Sequence, residues 1–397
     1  MTVVSVIGLI VIALPLAYLY LLALGSVRRP AAPPTTGQTD YRFAIAIPAH
    51  NEAAVIGQTV GRLRELDYPA DHFEVYVVAD HCADDTAAVA RRAGARCFER
   101  TEGPRGGKGA ALGWLFERLW ETGIPCDAVV VFDADTQVDP EFLRVMAARL
   151  ARGDQVIQGQ HCIRNPDDGW FPALTWATFL VDNRFQNQGR ANLGLSAKNM
   201  GDSICLRADV LRRIGWGEGL TEDYDLRLRL LLHGIRIAYE PAALGYGEAP
   251  VTWAIARKQR QRWLAGTYRS SRRNLGPLLR QALRRRDPAL WDGIAQIVFP
   301  SYSTLTVLSV AALLLQLAAD WIWRGLVPSM LLLLWLLVIG VLILYPFLGL
   351  ALEQAPRRAY LAILTGPVFI LWRTWLAIVS RFGRRPVTWV RTPRRVD

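Results

Sequence analysis

The chain has 397 residues, five cysteines and a formal net charge of +11. This charge would suit a nucleic-acid-binding protein, but the basic residues cluster beside long apolar segments, and no nucleic-acid-binding motif is recognisable. The composition therefore favours a membrane protein that interacts with membrane lipids, and no nucleic-acid partner. The cysteines show neither CxxC spacing nor a matching histidine cluster, which argues against zinc and predicts buried thiols in a reducing cytosol.

Apolar segments flank a central region of mixed polarity. Residues 3–24 carry no charge and are long enough for one membrane-spanning helix. A cleaved signal peptide would need a basic start, which Met-Thr-Val-Val lacks. Three further apolar runs follow, near 300–319, 327–352 and 359–380.

These patterns predict six regions. They are a transmembrane helix (1–25), a linker (26–40), an α/β catalytic domain (41–275), an interfacial helix region (276–298), transmembrane or re-entrant segments (299–380) and a basic cytoplasmic tail (381–397).

The distribution of arginine predicts the topology. Arg28 and Arg29 follow the first apolar segment, which places the N-terminus outside and the central domain in the cytoplasm. Three full C-terminal spans would leave the arginine-rich tail outside. The last run contains Gly366-Pro367 and Arg373, so we expect an interfacial or re-entrant segment that returns the tail to the cytoplasm. The expected location is the bacterial inner or plasma membrane.

Short apolar runs alternate with amphipathic segments from residue 43 onward. Strands are predicted at 43–47, 73–79, 96–99 and 128–132, with helices at 53–66, 84–93 and 109–121. This alternation predicts a largely parallel sheet with helices on both faces. Ligands of such sheets bind outside the carboxyl ends of the strands, where His50, Asp80 and Asp133 fall.

Asp133-Ala134-Asp135 ends the strand VVVF. Two carboxylates at this spacing can hold Mg²⁺ or Mn²⁺, with a diphosphate completing the coordination shell. A lone D-x-D is more often an exposed acidic turn, but the preceding buried strand favours the metal site.

A glycine-rich loop and two later motifs have structural explanations of similar weight. Lys108 in Arg105-Gly106-Gly107-Lys108-Gly109 enters a helix and would suit an anionic nucleotide, although the loop lacks the full phosphate-binding pattern. Thr221-Glu222-Asp223 resembles an ordinary helix cap with acids in the first turn. Gln259-Arg260-Gln261-Arg262-Trp263 could equally be a basic interfacial helix with a tryptophan anchor.

Taken in order, five motifs resemble those of the family-2 inverting glycosyltransferases. They are Pro48-Ala49-His50-Asn51-Glu52, Asp80, Asp133-Ala134-Asp135, Thr221-Glu222-Asp223 and Gln259-x-x-Arg262-Trp263. The likeness is to the membrane group with cellulose, hyaluronan and chitin-oligosaccharide synthases and ceramide glucosyltransferases. It runs from about 43 to 265.

The resemblance implies a Rossmann-like GT-A fold that uses a nucleotide-diphosphate sugar, most often a uridine one. Pro48, His50, Glu52 and Asp80 would line the nucleotide site, with Glu52 and Asp80 contacting base and ribose. Asp133 would support the diphosphate, and Asp135 would bind the metal. Lys108 joins these substrate-binding candidates because of its position at the helix entry.

At the transfer centre the resemblance implies that Asp223 is the catalytic base, with Glu222 beside it. Gln259, Arg262 and Trp263 would close over the diphosphate and the acceptor.

Two positions depart from the family pattern. Ala79-Asp80-His81-Cys82 keeps only one acid of the familiar Asp-Asp-Gly-Ser. Asp202 follows Gly201 where relatives often carry a smaller or neutral residue, so an acceptor role for Asp202 stays open.

The sequence leaves three functions open. The first is extension of a polysaccharide or lipid-linked glycan at the cytoplasmic face, and the second is a single transfer onto a membrane lipid such as ceramide, diacylglycerol or a hopanoid. The small number of predicted spans favours a lipid acceptor, although an oligomer could still build a polymer channel. The third is an inactive membrane scaffold, disfavoured because all the acidic motifs are present. A nucleotide-sugar transporter is disfavoured because the acids lie outside the membrane segments.

Overall fold

The computed structural model describes residues 2–31, 40–323 and 329–382. Residues 32–39 of the predicted linker and 383–397 of the predicted basic tail lie outside these ranges.

The described residues form fifteen α-helices and eight β-strands. The helices are α1 (Thr2–Gly25), α2 (Ala53–Arg64), α3 (Thr86–Arg92), α4 (Lys108–Glu121), α5 (Phe142–Ala151), α6 (Trp170–Val181), α7 (Gly189–Asn192), α8 (Ala208–Ile214), α9 (Glu222–Leu232), α10 (Trp253–Arg285), α11 (Pro288–Val298), α12 (Tyr302–Trp323), α13 (Ser329–Leu352), α14 (Arg357–Ile363) and α15 (Gly366–Phe382). The strands are β1 (Phe43–Ala49), β2 (Phe73–Asp80), β3 (Arg96–Arg100), β4 (Ala128–Val131), β5 (Gln137–Val138), β6 (Val156–Ile163), β7 (Ile204–Arg207) and β8 (Ile237–Gly247).

The strands form one sheet in the order β3-β2-β1-β4-β7-β6-β8-β5. β3, β2, β1 and β4 are parallel, as predicted. The other half of the sheet is mixed. There β7 is antiparallel to β4 and β6 and β5 is antiparallel to β8, while β6 and β8 are parallel, so the expectation of a largely parallel sheet does not hold for β5 and β7. β7 has four residues and β5 two, which is too short for a periodic pattern to reveal them.

Side chains of β1 alternate between two apolar cores. Phe43, Ile45 and Ile47 pack on one face of the sheet, and Ala44 and Ala46 pack on the other. Burial on both faces explains why this strand is a continuous apolar run. The α/β class predicted from such runs is confirmed, and the first four strands begin where the sequence places them.

Among the described residues, three helices are long and apolar enough to cross a membrane, namely Ser5–Gly25, Tyr302–Ile322 and Ser329–Leu352. The fourth apolar segment is broken into α14 and α15, which are bent by 46° relative to each other. The break directly precedes Gly366-Pro367, where proline cannot donate the backbone hydrogen bond that a continuous helix needs.

Helix α10 is continuous over 33 residues, or about 50 Å. The predicted division between catalytic domain and interfacial region at residue 275 falls inside it. Thr252 Oγ1 accepts a hydrogen bond from the Ile255 amide at its start, and Arg286 ends it in a left-handed conformation (φ 52°).

A buried carboxylate joins the first apolar helix to α9 and α11. Asp292 accepts a bifurcated hydrogen bond from Arg190 Nε, 3.1 Å to each carboxylate oxygen, and one of 2.6 Å from the Tyr18 hydroxyl. Arg227 of α9 donates to the same carboxylate at 3.3 Å and to the Ala197 carbonyl at 2.9 Å. Asp292 therefore fixes α9 and the loop after α7 relative to α1.

We expect Asp292→Asn to destabilise the protein by about 3–5 kcal/mol, because it leaves two buried guanidinium groups without their counter-charge. The midpoint of thermal unfolding in detergent should fall by roughly 5–10 °C. The exposed Asp167–Arg358 pair gives the control, since Asp167→Asn should cost at most about 1 kcal/mol. Equal melting of the two variants would contradict a structural role for Asp292.

Candidate active site

Polar side chains converge at the carboxyl ends of β1 and β2. The Arg100 guanidinium donates to Asp80 Oδ1 at 2.6 Å, and His81 Nδ1 lies 2.9 Å from the same oxygen. His50 Nδ1 lies 2.6 Å from the Asp80 carbonyl oxygen. Asp80 is thus buried and fixed at the strand end, with His50 beside it.

Pro48 and Glu52 flank this strand end. Pro48 belongs to β1, and Glu52 occupies the N-cap position of α2, where its amide donates to Thr86 Oγ1 at 2.8 Å. Glu52 is buried like Asp80, so two carboxyl groups lie at neighbouring strand ends in the parallel half of the sheet.

Lys108 joins the glycine-rich loop to the D-x-D turn. Its Nζ donates to Asp133 Oδ1 at 2.5 Å and also to the Gly201 carbonyl oxygen. Burial would lower the pKa of Lys108, but the carboxylates of Asp133, Glu222 and Asp202 raise it to about 12. The side chain is therefore a permanent cation among several acids.

Asp202 supports the D-x-D turn from inside. Its Oδ1 accepts 3.0 Å hydrogen bonds from the Asp133 amide and from Thr136 Oγ1, while Oδ2 lies 2.8 Å from His161 Nδ1. Burial would raise the pKa of Asp202, but the contact with His161 and the Lys108 charge hold it below its usual range. Asp202 is almost fully buried, so its observed contacts are those of a structural anchor for the turn.

Glu222 and Asp223 lie in the first turn of α9, close to the Lys108 segment. A Cβ atom at Gly201 would lie 3.4 Å from Asp223 Oδ2, and one at Gly109 would lie 2.9 Å from Glu222 Cβ. Gly201 also has φ +79°, a conformation that side chains disfavour. The two glycines therefore let the acidic turn approach the strand ends closely.

The surroundings shift both acids towards their neutral forms. Burial, reinforced by the Asp223 charge, raises the pKa of Glu222 to about 7. Burial also raises the pKa of Asp223, although the Tyr224 amide and the Lys108 and Arg262 cations oppose this. A carboxyl group with a raised pKa is a better proton acceptor, as a general base requires.

Helix α10 closes the site beside the start of α9. Arg262 donates to the Leu220 carbonyl oxygen at 3.2 Å, next to the N-cap residue Thr221. Thr221 holds the predicted N-cap position, but its side chain makes no cap hydrogen bond. Gln259 lies one turn before Trp263, which is 38% exposed.

The acids that the sequence places far apart thus form connected groups. Lys108, Asp133, Glu222, Asp223 and Arg262 interact around one centre, whereas Pro48, His50, Glu52 and Asp80 form a neighbouring group at the ends of β1 and β2. On α10, Gln259 lies three residues before Arg262, and Trp263 directly follows it.

Asp135 is buried at the turn after β4. In the part of the chain that the structure describes, no three His, Cys, Asp or Glu side chains could hold a metal by themselves. Mg²⁺ commonly takes one or two carboxylates and completes its shell with substrate phosphates. Asp133 and Asp135 are the carboxylates of this turn that could share such a site with a diphosphate, and Asp133 is also paired with Lys108.

Sequence reasoning missed Arg100 and His161 and left Asp202 open. Arg100 and His161 are single charged or polar residues within or at the end of strands, so no spacing marks them. Their partners, Asp80 and Asp202, are 20 and 41 residues away, and only folding brings the pairs together.

The chain was compared with known proteins. Residues 41–266 match the family model described as "Glycosyltransferase like family 2". The chain is 33% identical to a beta-monoglucosyldiacylglycerol synthase of Synechocystis sp., over 57% of this chain and 48% of that protein. It is 24% identical to glucomannan 4-beta-mannosyltransferase 7 of Arabidopsis thaliana, over 64% of this chain and 47% of that protein. The chain spans about half the length of these curated relatives.

Among solved structures, the fold is similar to that of the mannosyltransferase PcManGT from Pyrobaculum calidifontis in complex with GDP-Man and Mn²⁺. The TM-score is 0.59 at 19% identity, with 96% of this chain and 99% of that chain covered. The likeness supports the predicted GT-A fold. Because the family match covers more than half of the sequence, the chain belongs to glycosyltransferase family 2.

Proposed function

We propose that the protein transfers a sugar, with inversion, from a nucleotide-diphosphate sugar to a hydroxyl group of a membrane lipid. The observation that carries this proposal is the close approach of Asp223 to Gly201 and Lys108, which joins the candidate base to the cation at the D-x-D turn. Holding several acids in one buried site costs free energy, because like charges repel each other. An inactive scaffold would have no use for such a cluster, which argues against that alternative.

Of the acceptors that the sequence leaves open, a lipid is favoured over a growing polysaccharide. A relative at 33% identity is named as a glycolipid synthase. The described part of the chain has three helices able to span a membrane, or four if the bent pair counts. A polymer channel built from one chain would need more helices than the described residues offer.

In the proposed reaction, Lys108 and Arg262 face the diphosphate, and Glu52 and Asp80 face the nucleoside. The acceptor oxygen bonds to the anomeric carbon opposite the breaking carbon–phosphate oxygen bond, and its proton passes to Asp223. A bound Mg²⁺ or Mn²⁺, held by Asp135 and diphosphate oxygens, would supply further charge neutralisation.

Gln259 and Trp263 would line the acceptor side. They lie on either side of Arg262 on α10. Arg260, in the same turn of the helix, contacts Phe369 of α15, which supports this assignment.

We also propose that the catalytic domain faces the cytoplasm. Arg29, just after α1, pairs with Glu353, just after α13, at 2.9 Å. The ends of these two apolar helices therefore lie on the same side as the domain that follows α1. If α14 and α15 are re-entrant, the basic tail returns to this side, in agreement with the distribution of arginine.

Replacing Asp223 by asparagine should reduce transfer by about 10²–10⁴-fold, because the amide cannot accept the acceptor proton. Binding of the sugar nucleotide, measured by the shift in melting temperature, should change little. Asp209→Asn, at an exposed ion pair, should retain full transfer. Near-normal turnover of the Asp223→Asn enzyme would refute its role as the base.

Donor affinity should fall as the pH rises through about 7, because Glu222 gains a negative charge beside Lys108 and Arg262. Below this pH Glu222 is protonated and the two cations are available for the diphosphate. A Glu222→Gln variant should lose this pH dependence and keep the low-pH affinity. The KM for the donor, measured between pH 5.5 and 8.5 in both proteins, provides the test.

A panel of UDP- and GDP-sugars should identify one donor that is turned over in native membranes. A chelator should suppress this turnover, and either Mg²⁺ or Mn²⁺ should restore it, because the protein supplies few ligands of its own. Full activity after chelation would contradict the metal assignment, and no turnover with any donor would contradict the proposed function.

A further inference from the structure

Three cations meet between the loop after α7, helix α10 and the apolar helix α15. Lys198 Nζ lies 3.8 Å from Asp182 Oδ2. Arg260 Cζ lies 4.6 Å from the centre of the Phe369 ring. Arg373 follows Phe369 by one helical turn on the same side of α15. We call Lys198, Arg260 and Arg373 the basic cluster; each interacts electrostatically with Asp182.

The basic cluster has more positive than negative charge. Lys198 and Arg260 are each repelled by Arg373, and Asp182 is the carboxylate that attracts all three cations. Cations held close together in a partly desolvated site favour the binding of an anion. The Asp182 side chain is 55% exposed and that of Lys198 is 32% exposed, so an anion can reach the cluster from outside.

The cluster lies within reach of the candidate base. Lys198 precedes Gly201 by three residues, a separation of at most about 11 Å along the chain. A Cβ atom at Gly201 would lie 3.4 Å from Asp223 Oδ2. One acceptor molecule could therefore contact both the basic cluster and Asp223.

The surroundings place the cluster at the depth of lipid headgroups. The Trp253 ring of α10 packs on Trp372 of α15 with centroids 4.6 Å apart, and both contact Phe171. Tryptophan is enriched at the membrane–water interface, where lipid phosphates lie. These aromatic contacts therefore favour a lipid phosphate over a soluble anion as the ligand of the basic cluster.

We propose that the acceptor is a membrane lipid with an anionic, phosphate-bearing headgroup, and that the basic cluster binds this phosphate while Asp223 faces the hydroxyl that receives the sugar. This inference rests on the proposed function and specifies its acceptor class. Lys198 and Arg373 would select the acceptor, whereas Lys108 and Arg262 serve the donor.

The test compares two acceptors with the full chain in phosphatidylcholine vesicles and the donor identified by the screen. The vesicles contain either phosphatidylglycerol, which carries a phosphate and free hydroxyls, or diacylglycerol, which carries a hydroxyl alone. The wild-type protein should prefer phosphatidylglycerol in kcat/KM by at least about tenfold. Lys198→Gln and Arg373→Gln should each lose about tenfold of this preference, the effect of one charge-assisted hydrogen bond.

Two matched variants separate charge recognition from structural damage. Lys198→Arg keeps the cation and should keep the preference. Lys258→Gln removes an exposed cation on α10, two residues before Arg260, and should behave like the wild-type protein.

A binding measurement makes the inference independent of turnover. Phosphatidylglycerol in mixed micelles should raise the melting temperature of the wild-type protein above its value with phosphatidylcholine, and this increase should be lost in Lys198→Gln. Equal use of both acceptors, or no increase in melting temperature, would overturn the inference. Efficient transfer to diacylglycerol alone would overturn it and leave the proposed function intact.

Discussion

The arrangement of the site depends on the Lys108 ammonium group. It binds Asp133 and the Gly201 carbonyl and interacts with Asp202 and Glu222, so that one cation compensates a concentration of negative charge. Acids collected at one sheet edge would otherwise repel each other and any diphosphate ligand. Lys108 can occupy this position because it begins α4 immediately after Gly107, whose φ is +79°.

A second buried charge network connects the site to the apolar helices. Asp292 binds Arg190 and, through Arg227, restrains both α9 and the Ala197 carbonyl in the loop that leads to Gly201. The Tyr18 hydroxyl adds the first apolar helix to the same network. Helix α9 and the first apolar helix are therefore fixed to each other, which would give the proposed lipid acceptor a defined position relative to Asp223.

Much of the fold could be predicted because local patterns determine it. β1 to β4 show apolar runs with turn residues at their ends, and the acids directly after them fall at the sheet edge that topology requires. The antiparallel strands β5 and β7 could not be predicted, since they are too short to show a period. The Asp202–His161 and Asp80–Arg100 pairs could not be predicted from the sequence for another reason. Each pair depends on long-range packing, and no local signal marks the partner.

Helix α10 has a thermodynamic consequence. Arg260 and Arg262 are two residues apart, so they point to sides about 200° apart around one rigid helix. Arg260 packs against Phe369, and Arg262 reaches the Leu220 carbonyl. If a ligand on one side draws the helix towards it, affinity on the other side must change by the same factor in both directions. In an enzyme built in this way, donor binding and acceptor binding would be energetically coupled, so that each substrate changes the affinity of the protein for the other.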